Sequence, residues 1–249
     1  MKAFAIIGYH HTGKTTTVVN VVKELVSRGF TVATIKDIHS EQYHADKPGK
    51  NSALHIKAGS NLTVARGLYD TALIFPRTLQ LWEITPHLQA DYLVIEGMKD
   101  APVPKIVCAQ DNIQIEELAD DTAIAISGIV AGTKYKHPFL PVIDGSSRSS
   151  ELCDLIMAKC FTMLPAADPD CCNRCGSSCY QMAADILQGK RTREDCVLDG
   201  KPGISLKVGN KEITIVPFVQ DILKDSIMAI INNLRDVNSN LKIEITIKP

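Results

Sequence analysis

Ala3-Phe4-Ala5-Ile6-Ile7-Gly8-Tyr9-His10-His11-Thr12-Gly13-Lys14-Thr15, followed by Thr16, is the stretch on which the reading of the chain turns. Ala3 to Tyr9 is a compact apolar run of the kind that fills a buried parallel strand. Val18, Val21, Val22, Leu25 and Val26 then recur at helical spacing, and Gly29 closes that helix. Between strand and helix, Gly8 to Thr15 fits G-x-x-x-x-G-K-[ST] at every fixed position. The glycines let the backbone fold into a concave nest whose N–H groups point at phosphate, and the helix N-terminus adds positive potential. Lys14 is placed to reach the β- and γ-phosphate oxygens and the Thr15 hydroxyl to ligate Mg²⁺. A chance glycine-rich turn would not carry both flanking elements. Gly8, Tyr9, His10, His11, Thr12, Gly13, Lys14, Thr15 and Thr16 are therefore the candidate nucleotide-binding residues. His10 and His11 either touch phosphate or substrate or simply face solvent; their backbone N–H groups matter more than their rings.

Such a loop needs an acid beside it. Asp91-Tyr92-Leu93-Val94-Ile95-Glu96-Gly97 is an apolar strand ending in a carboxylate and a glycine. In a parallel sheet the carboxyl end of that strand opens beside the phosphate loop. Glu96 is accordingly expected to bind Mg²⁺ or to orient an attacking water, and is paired with Lys14 as a catalytic candidate; the alternative is an exposed strand-end acid. Asp91 starts the strand and should lie at the wrong edge. Asp37, just after a second strand, is a rival metal ligand. Guanine is read in many such proteins by N-K-x-D, and Thr133-Lys134-Tyr135-Lys136 lacks its terminal acid, so these residues alone leave the base open.

Further strands are expected at Thr31–Lys36, Asn61–Ala65, Ala72–Phe75, Tyr92–Ile95, Lys105–Ala109, Ala123–Ile126 and Leu140–Ile143. Helices are expected at Asn51–Ala58, Thr78–Trp82 and Ser149–Leu164. Strands separated by helices predict an α/β domain with a doubly wound, mostly parallel sheet over residues 1–165. The pattern breaks at Pro165-Ala166-Ala167-Asp168-Pro169, giving a cysteine-rich segment over 166–199 and a small ββαβ unit over 200–249. With 249 residues, 45% hydrophobic and 22% charged, the chain is neither disordered nor fibrous. A net charge of -1 offers no basic excess for nucleic acid. No apolar run spans a bilayer and no cleavage pattern follows the N-terminal strand, so a cytoplasmic protein without a membrane partner is expected.

Seven of the eight cysteines fall between residues 153 and 196, Cys108 being the exception. Without a secretory signal, that crowding points to metal rather than disulfides. Cys172-x2-Cys175-x3-Cys179-x16-Cys196 supplies three close thiolates and one remote. This arrangement matches wrapping of a [4Fe–4S] cube better than the paired knuckles of a Zn²⁺ site, with zinc and inert thiols as alternatives. Cys171 can substitute for Cys172. Cys153 and Cys160 follow a helical apolar periodicity, which assigns them to packing.

Residues 1 to about 164 resemble MobB, the P-loop GTP-binding family of molybdopterin-guanine dinucleotide biosynthesis. Beyond the phosphate loop, the resemblance rests on Lys36-Asp37-Ile38-His39, His44-Ala45-Asp46-Lys47-Pro48-Gly49-Lys50-Asn51-Ser52 and His55-Ile56-Lys57-Ala58-Gly59. Val94-Ile95-Glu96-Gly97-Met98-Lys99 and Pro104-Lys105-Ile106 complete it. Asp37 stands where the family usually has His, and Asn51 where it usually has a second acid. The resemblance implies a dimer that binds GTP with Mg²⁺, hydrolyses it slowly and assists the separate guanylyltransferase that joins GMP to molybdopterin. It also implies phosphate and Mg²⁺ at Lys14 and Thr15, an acid at Glu96, and nucleotide or pterin contact at His39, His44 and Asp46, otherwise a solvated loop. Cys172 through Cys196 is similar to the small [4Fe–4S] domain of electron-transfer and corrinoid-protein subunits, which usually has one more residue between its second and third cysteines.

These readings converge on a GTP-binding accessory protein for molybdenum or tungsten cofactor maturation, extended by an iron–sulfur segment that senses redox state or docks on a metalloenzyme client. The alternatives are a small-molecule kinase built on the same loop and a nucleotide-switched, non-catalytic iron–sulfur adaptor.

Overall fold

Seven strands form in the first half of the chain of this computed structural model: β1 (Lys2–Gly8), β2 (Val32–Lys36), β3 (Thr63–Arg66), β4 (Thr71–Ile74), β5 (Tyr92–Glu96), β6 (Lys105–Cys108) and β7 (Ala123–Ser127). The structure describes residues 1–46, 49–165, 175–197, 204, 206–209, 211–213, 217–234, 243 and 245. Five of the strands make one parallel sheet in the order β2-β5-β1-β6-β7. The central strand explains the layering. Its side chains alternate faces, and every residue from Ala3 to Ile7 is buried. Phe4 and Ile6 pack against Val18, Val21 and Leu25 of α1 (Lys14–Ser27), and Leu152, Cys153 and Ile156 further along the chain join that core. Ala3, Ala5 and Ile7 face the other way, toward Leu81, Ala101, Val103 and Leu118. Helices therefore cover both faces, and the expected doubly wound α/β architecture is what forms.

The remaining helices are α2 (Asn51–Lys57), α3 (Leu81–Ile84), α4 (Asn112–Leu118), α5 (Ser149–Lys159), α6 (Cys179–Leu187) and α7 (Pro217–Ile231). The sequence reading had not separated α4, which is capped by Asp111, whose Oδ1 accepts the Gln114 N–H at 2.9 Å. α5 is shorter than expected. Cys160 turns extended, and Thr162 then pairs antiparallel with Lys2 on the edge of the central strand.

Two expected strands do not join the sheet. β3 and β4 are joined by a turn from Gly67 to Asp70 closed by a 2.8 Å backbone bond, and a link that short permits only antiparallel pairing. The Leu140–Ile143 segment contributes one parallel bridge, Ile126 to Val142, and no full strand. Pro138 and Pro141 withhold the donors a longer ladder would need. Toward the C-terminus, β8 (Leu206–Val208) and β9 (Lys211–Ile213) form the expected hairpin ahead of α7. The expected last strand lies largely outside the described residues.

α6 is fastened to the sheet domain. Its apolar side, Met182 and Ala183, packs with Leu164 and Cys196, and with Phe161, Cys175, Cys179 and Ile186 around them. Arg193 donates to the Thr162 and Met163 carbonyls at 2.5 and 2.8 Å. Tyr180 reaches further, to a buried lysine. Lys105 on β6 is 1% exposed, and its ammonium meets the Tyr180 hydroxyl, the Tyr180 ring face at 4.1 Å and Asp120 at 3.4 Å. The Tyr180 hydroxyl in turn donates to Asp120. Burial holds the Lys105 ammonium below its ordinary value against the pull of Asp120, and the Tyr180 phenol is pushed up to about 12, again chiefly by burial. Tyr180→Phe keeps the ring and removes the hydroxyl. We expect a loss of about 1 kcal/mol in unfolding free energy and faster amide hydrogen exchange along α6; unchanged exchange would show that the hydroxyl does not fasten this helix.

Candidate phosphate-loop site

The loop leaves β1 at Gly8 and enters α1 at Lys14, with His11 (φ +58°) and Gly13 (φ +90°) in the left-handed region. That alternation turns successive backbone N–H groups to one side and makes an anion-sized hollow. Its shape is held from within and from below. The Thr12 hydroxyl donates to the Tyr9 carbonyl at 3.0 Å, and the Lys14 ammonium donates to the same carbonyl. The Thr17 hydroxyl donates to the Gly13 carbonyl at 3.0 Å, and the Ile129 N–H to the Thr12 carbonyl at 3.2 Å. Burial lowers the Lys14 ammonium from its ordinary value, with Lys36 and Lys99 pushing the same way and Glu96 opposing them.

Glu96 stands where the sequence placed it. Parallel pairing sets it level with Ile6 of β1 on one side and with Lys36 of β2 on the other. Only 9% exposed, it accepts the Thr15 hydroxyl at 2.8 Å and the Lys36 ammonium at 3.2 Å, both on Oε1. Thr15 and Glu96 thus present two adjacent oxygens, which suits a hard cation such as Mg²⁺. Asp91 lies at the opposite end of β5, bonded to Thr31. Asp37 turns away from Glu96 and pairs with His39 at 2.9 Å. His10, His11, His39 and His44 are exposed, as is Thr16, and the Asp46 Oδ2 has no hydrogen-bond partner among the described residues.

Three participants were not singled out from the sequence. Lys36 is brought to the site by the β2–β5 register, which only the pairing reveals. Lys99, one turn beyond Glu96, lies 4.5 Å over the Tyr9 ring, while the Tyr9 hydroxyl donates to Glu117 at 3.0 Å. Gly128 (φ +79°) passes so close beneath the loop that a Cβ there would sit 2.2 Å from the Thr12 carbonyl oxygen. Beside the loop, Ile7, Lys99, Glu117, Asp120 and Tyr180 border an open groove of about 420 Å³.

Of the cysteines, the two assigned to packing are buried as expected, whereas the expected metal site is not seen among the described residues. Cys153 and Cys160 are core residues whose thiols burial pushes up to about 12. Cys175, Cys179 and Cys196 gather in the apolar cluster around α6. Arg191 fixes their loop by donating to the Cys175 carbonyl at 3.1 Å and to the Ser177 hydroxyl at 3.0 Å. Cys171 and Cys172 lie outside the described residues. Among the described residues no group of three or more His, Cys, Asp or Glu side chains is arranged to hold a metal ion, and no helix is long and apolar enough to cross a membrane.

A parallel open sheet with its glycine-lined hollow over the central strand defines a phosphate-loop α/β protein. Comparison narrows this. Residues 3–131, just over half of the chain, match the family described as Molybdopterin guanine dinucleotide synthesis protein B. The chain belongs to this MobB family. A relative from Methanocaldococcus jannaschii is 27% identical over 99% of this chain and 98% of its own length, so the likeness there includes the cysteine-rich segment and the tail. The molybdopterin-guanine dinucleotide biosynthesis adapter protein of Escherichia coli is 30% identical over 47% of this chain and 71% of its own length. The crystal structure of Bacillus subtilis MobB superposes with a TM-score of 0.53 at 25% identity, covering 64% of this chain and 97% of that one.

Gly128→Ala tests the underpinning of the loop. A side chain there meets both the Thr12 carbonyl and a backbone conformation that only glycine adopts readily, so we expect a loss of about 2 kcal/mol or more, read as a lower melting midpoint in scanning calorimetry. Gly132→Ala, with nothing within 4 Å of the added Cβ, is the control and should melt close to the unaltered protein.

Proposed function

We propose that this protein is a GTP-binding adapter in molybdopterin guanine dinucleotide biosynthesis, with hydrolysis slow and secondary. The observation that carries the reading is the Thr15–Glu96 hydrogen bond at the mouth of the hollow, within a chain of the MobB family. In this reading the backbone N–H groups from Tyr9 to Gly13 grip the inner phosphates, and Lys14 leaves the Tyr9 carbonyl for the phosphate oxygens. Thr15 and Glu96 would hold Mg²⁺, which supplies charge neutralisation of the phosphate chain when bound. The proposed partners are the guanylyltransferase that attaches GMP to molybdopterin, a molybdenum or tungsten enzyme client, and a second copy of the chain, a reading supported by membership of the MobB family. The location is the cytoplasm.

The proposal divides the chain into a nucleotide unit over 1–165, a cysteine-rich unit over 166–199 and a C-terminal unit over 200–249. Cys172, Cys175, Cys179 and Cys196 are proposed as ligands of a [4Fe–4S] cluster, with Zn²⁺ as the alternative. The support is the donor set and its spacing in the sequence, four soft thiolates of which three are close together. A nucleotide-switched adaptor is a second reading, favoured by one contact: the Tyr180 hydroxyl, next to Cys179, lies 3.5 Å from the carbonyl of Lys99, whose ammonium covers Tyr9 of the phosphate loop.

Lys14→Ala should abolish tight binding of guanosine triphosphate in calorimetric titration while circular dichroism stays unchanged; undiminished affinity would remove the loop from the reading. Protein purified without oxygen should contain iron and acid-labile sulfide and be coloured, and Cys175→Ser should lose both. Zinc in place of iron and sulfide would replace the cluster with the alternative ion.

A further inference from the structure

Three lysines surround the hollow, and each is occupied differently. Lys14 is held by the Tyr9 carbonyl, Lys99 lies over the Tyr9 ring, and Lys36 is paired with Glu96. Lys36 differs from the other two in origin. It ends β2, two strands from β1 in the order β2-β5-β1, hence about 10 Å from the strand that carries the loop. The peptide nest over β1 and α1 serves the inner phosphates of a bound chain. A side chain from β2 reaches Glu96 from the side of β5 away from β1, which leaves it for a phosphate that the nest does not enclose.

We infer that Lys36 is the residue that distinguishes a nucleoside triphosphate from a diphosphate, by donating its ammonium to the terminal phosphate. The inference deepens the proposed function and rests on its reading of the hollow as a nucleotide site. The side chain is 58% exposed and held on that side by one carboxylate oxygen, so it is free to swing. Glu96 Oε1 already serves both Thr15 and Lys36. Lys36 gives up that oxygen when the carboxylate is engaged by a divalent cation, and its uncompensated charge then turns to the nearest anion. With a diphosphate no outer anion is present, and the released ammonium has only solvent to turn to. Asp37 does not compete for it, being paired with His39.

The test is a pair of calorimetric titrations with Mg²⁺, one with a non-hydrolysable guanosine triphosphate analogue and one with guanosine diphosphate. They are run on the unaltered chain, Lys36→Ala and Lys36→Arg. A charge-assisted hydrogen bond of this kind corresponds to about tenfold or more in affinity. Lys36→Ala should lower the triphosphate-to-diphosphate affinity ratio by about that factor and leave diphosphate affinity within about twofold, and Lys36→Arg should restore part of the ratio. Equal weakening of both nucleotides would assign Lys36 to holding Glu96 in place and overturn the inference, as would an unchanged ratio. Binding of neither nucleotide by the unaltered chain would instead remove the site reading itself, and the inference with it.

Discussion

The registered pairing of three parallel strands governs this molecule. Because β5 lies between β1 and β2 with Ile6, Glu96 and Lys36 at one level, the acid, the lysine and the phosphate loop emerge at the same edge of the sheet. A one-residue slip of β5 would send Glu96 to the opposite face, since strand side chains alternate. The buried faces of β1 and β5 forbid that slip: Phe4 and Ile6 belong to one core, and Ala3, Ala5 and Ile7 to the other. Apolar packing therefore sets the geometry of a polar site.

Much of this was legible in the chain because it is local. The strand, glycine-rich turn and helix from Ala3 to Leu25 are contiguous, and each residue's task follows from its neighbours. Glu96 could be placed because a strand-end acid followed by glycine needs only the direction of the sheet. Lys36 could not be placed, although its motif was noticed, because its role depends on which strand neighbours which. Gly128 is a similar case: its closeness to the Thr12 carbonyl joins segments more than a hundred residues apart. The β3–β4 hairpin is a further case: both apolar runs form strands as read, but that they pair with each other, apart from the main sheet, depends on the turn between them.

The C-terminal third is the part that composition described best and geometry least. Its cysteines read as one donor set, whereas Cys175, Cys179 and Cys196 take part in the apolar packing around α6 and no metal-holding group is found among the described residues. The likeness to the Methanocaldococcus jannaschii relative runs through this third, whereas the likeness to the Escherichia coli adapter covers 47% of this chain.

The buried lysine on β6 ties α6 to the sheet. Lys105 lies in the strand beside the phosphate loop, yet its ammonium is satisfied by a tyrosine of the added segment and by Asp120, which that same tyrosine also bonds. The three residues thus depend on one another: losing the aromatic partner leaves the lysine and Asp120 paired only with each other, and replacing the lysine leaves a phenol and an acid facing each other. A displacement of α6 would therefore be felt at β6, the strand paired with the one that carries the phosphate loop.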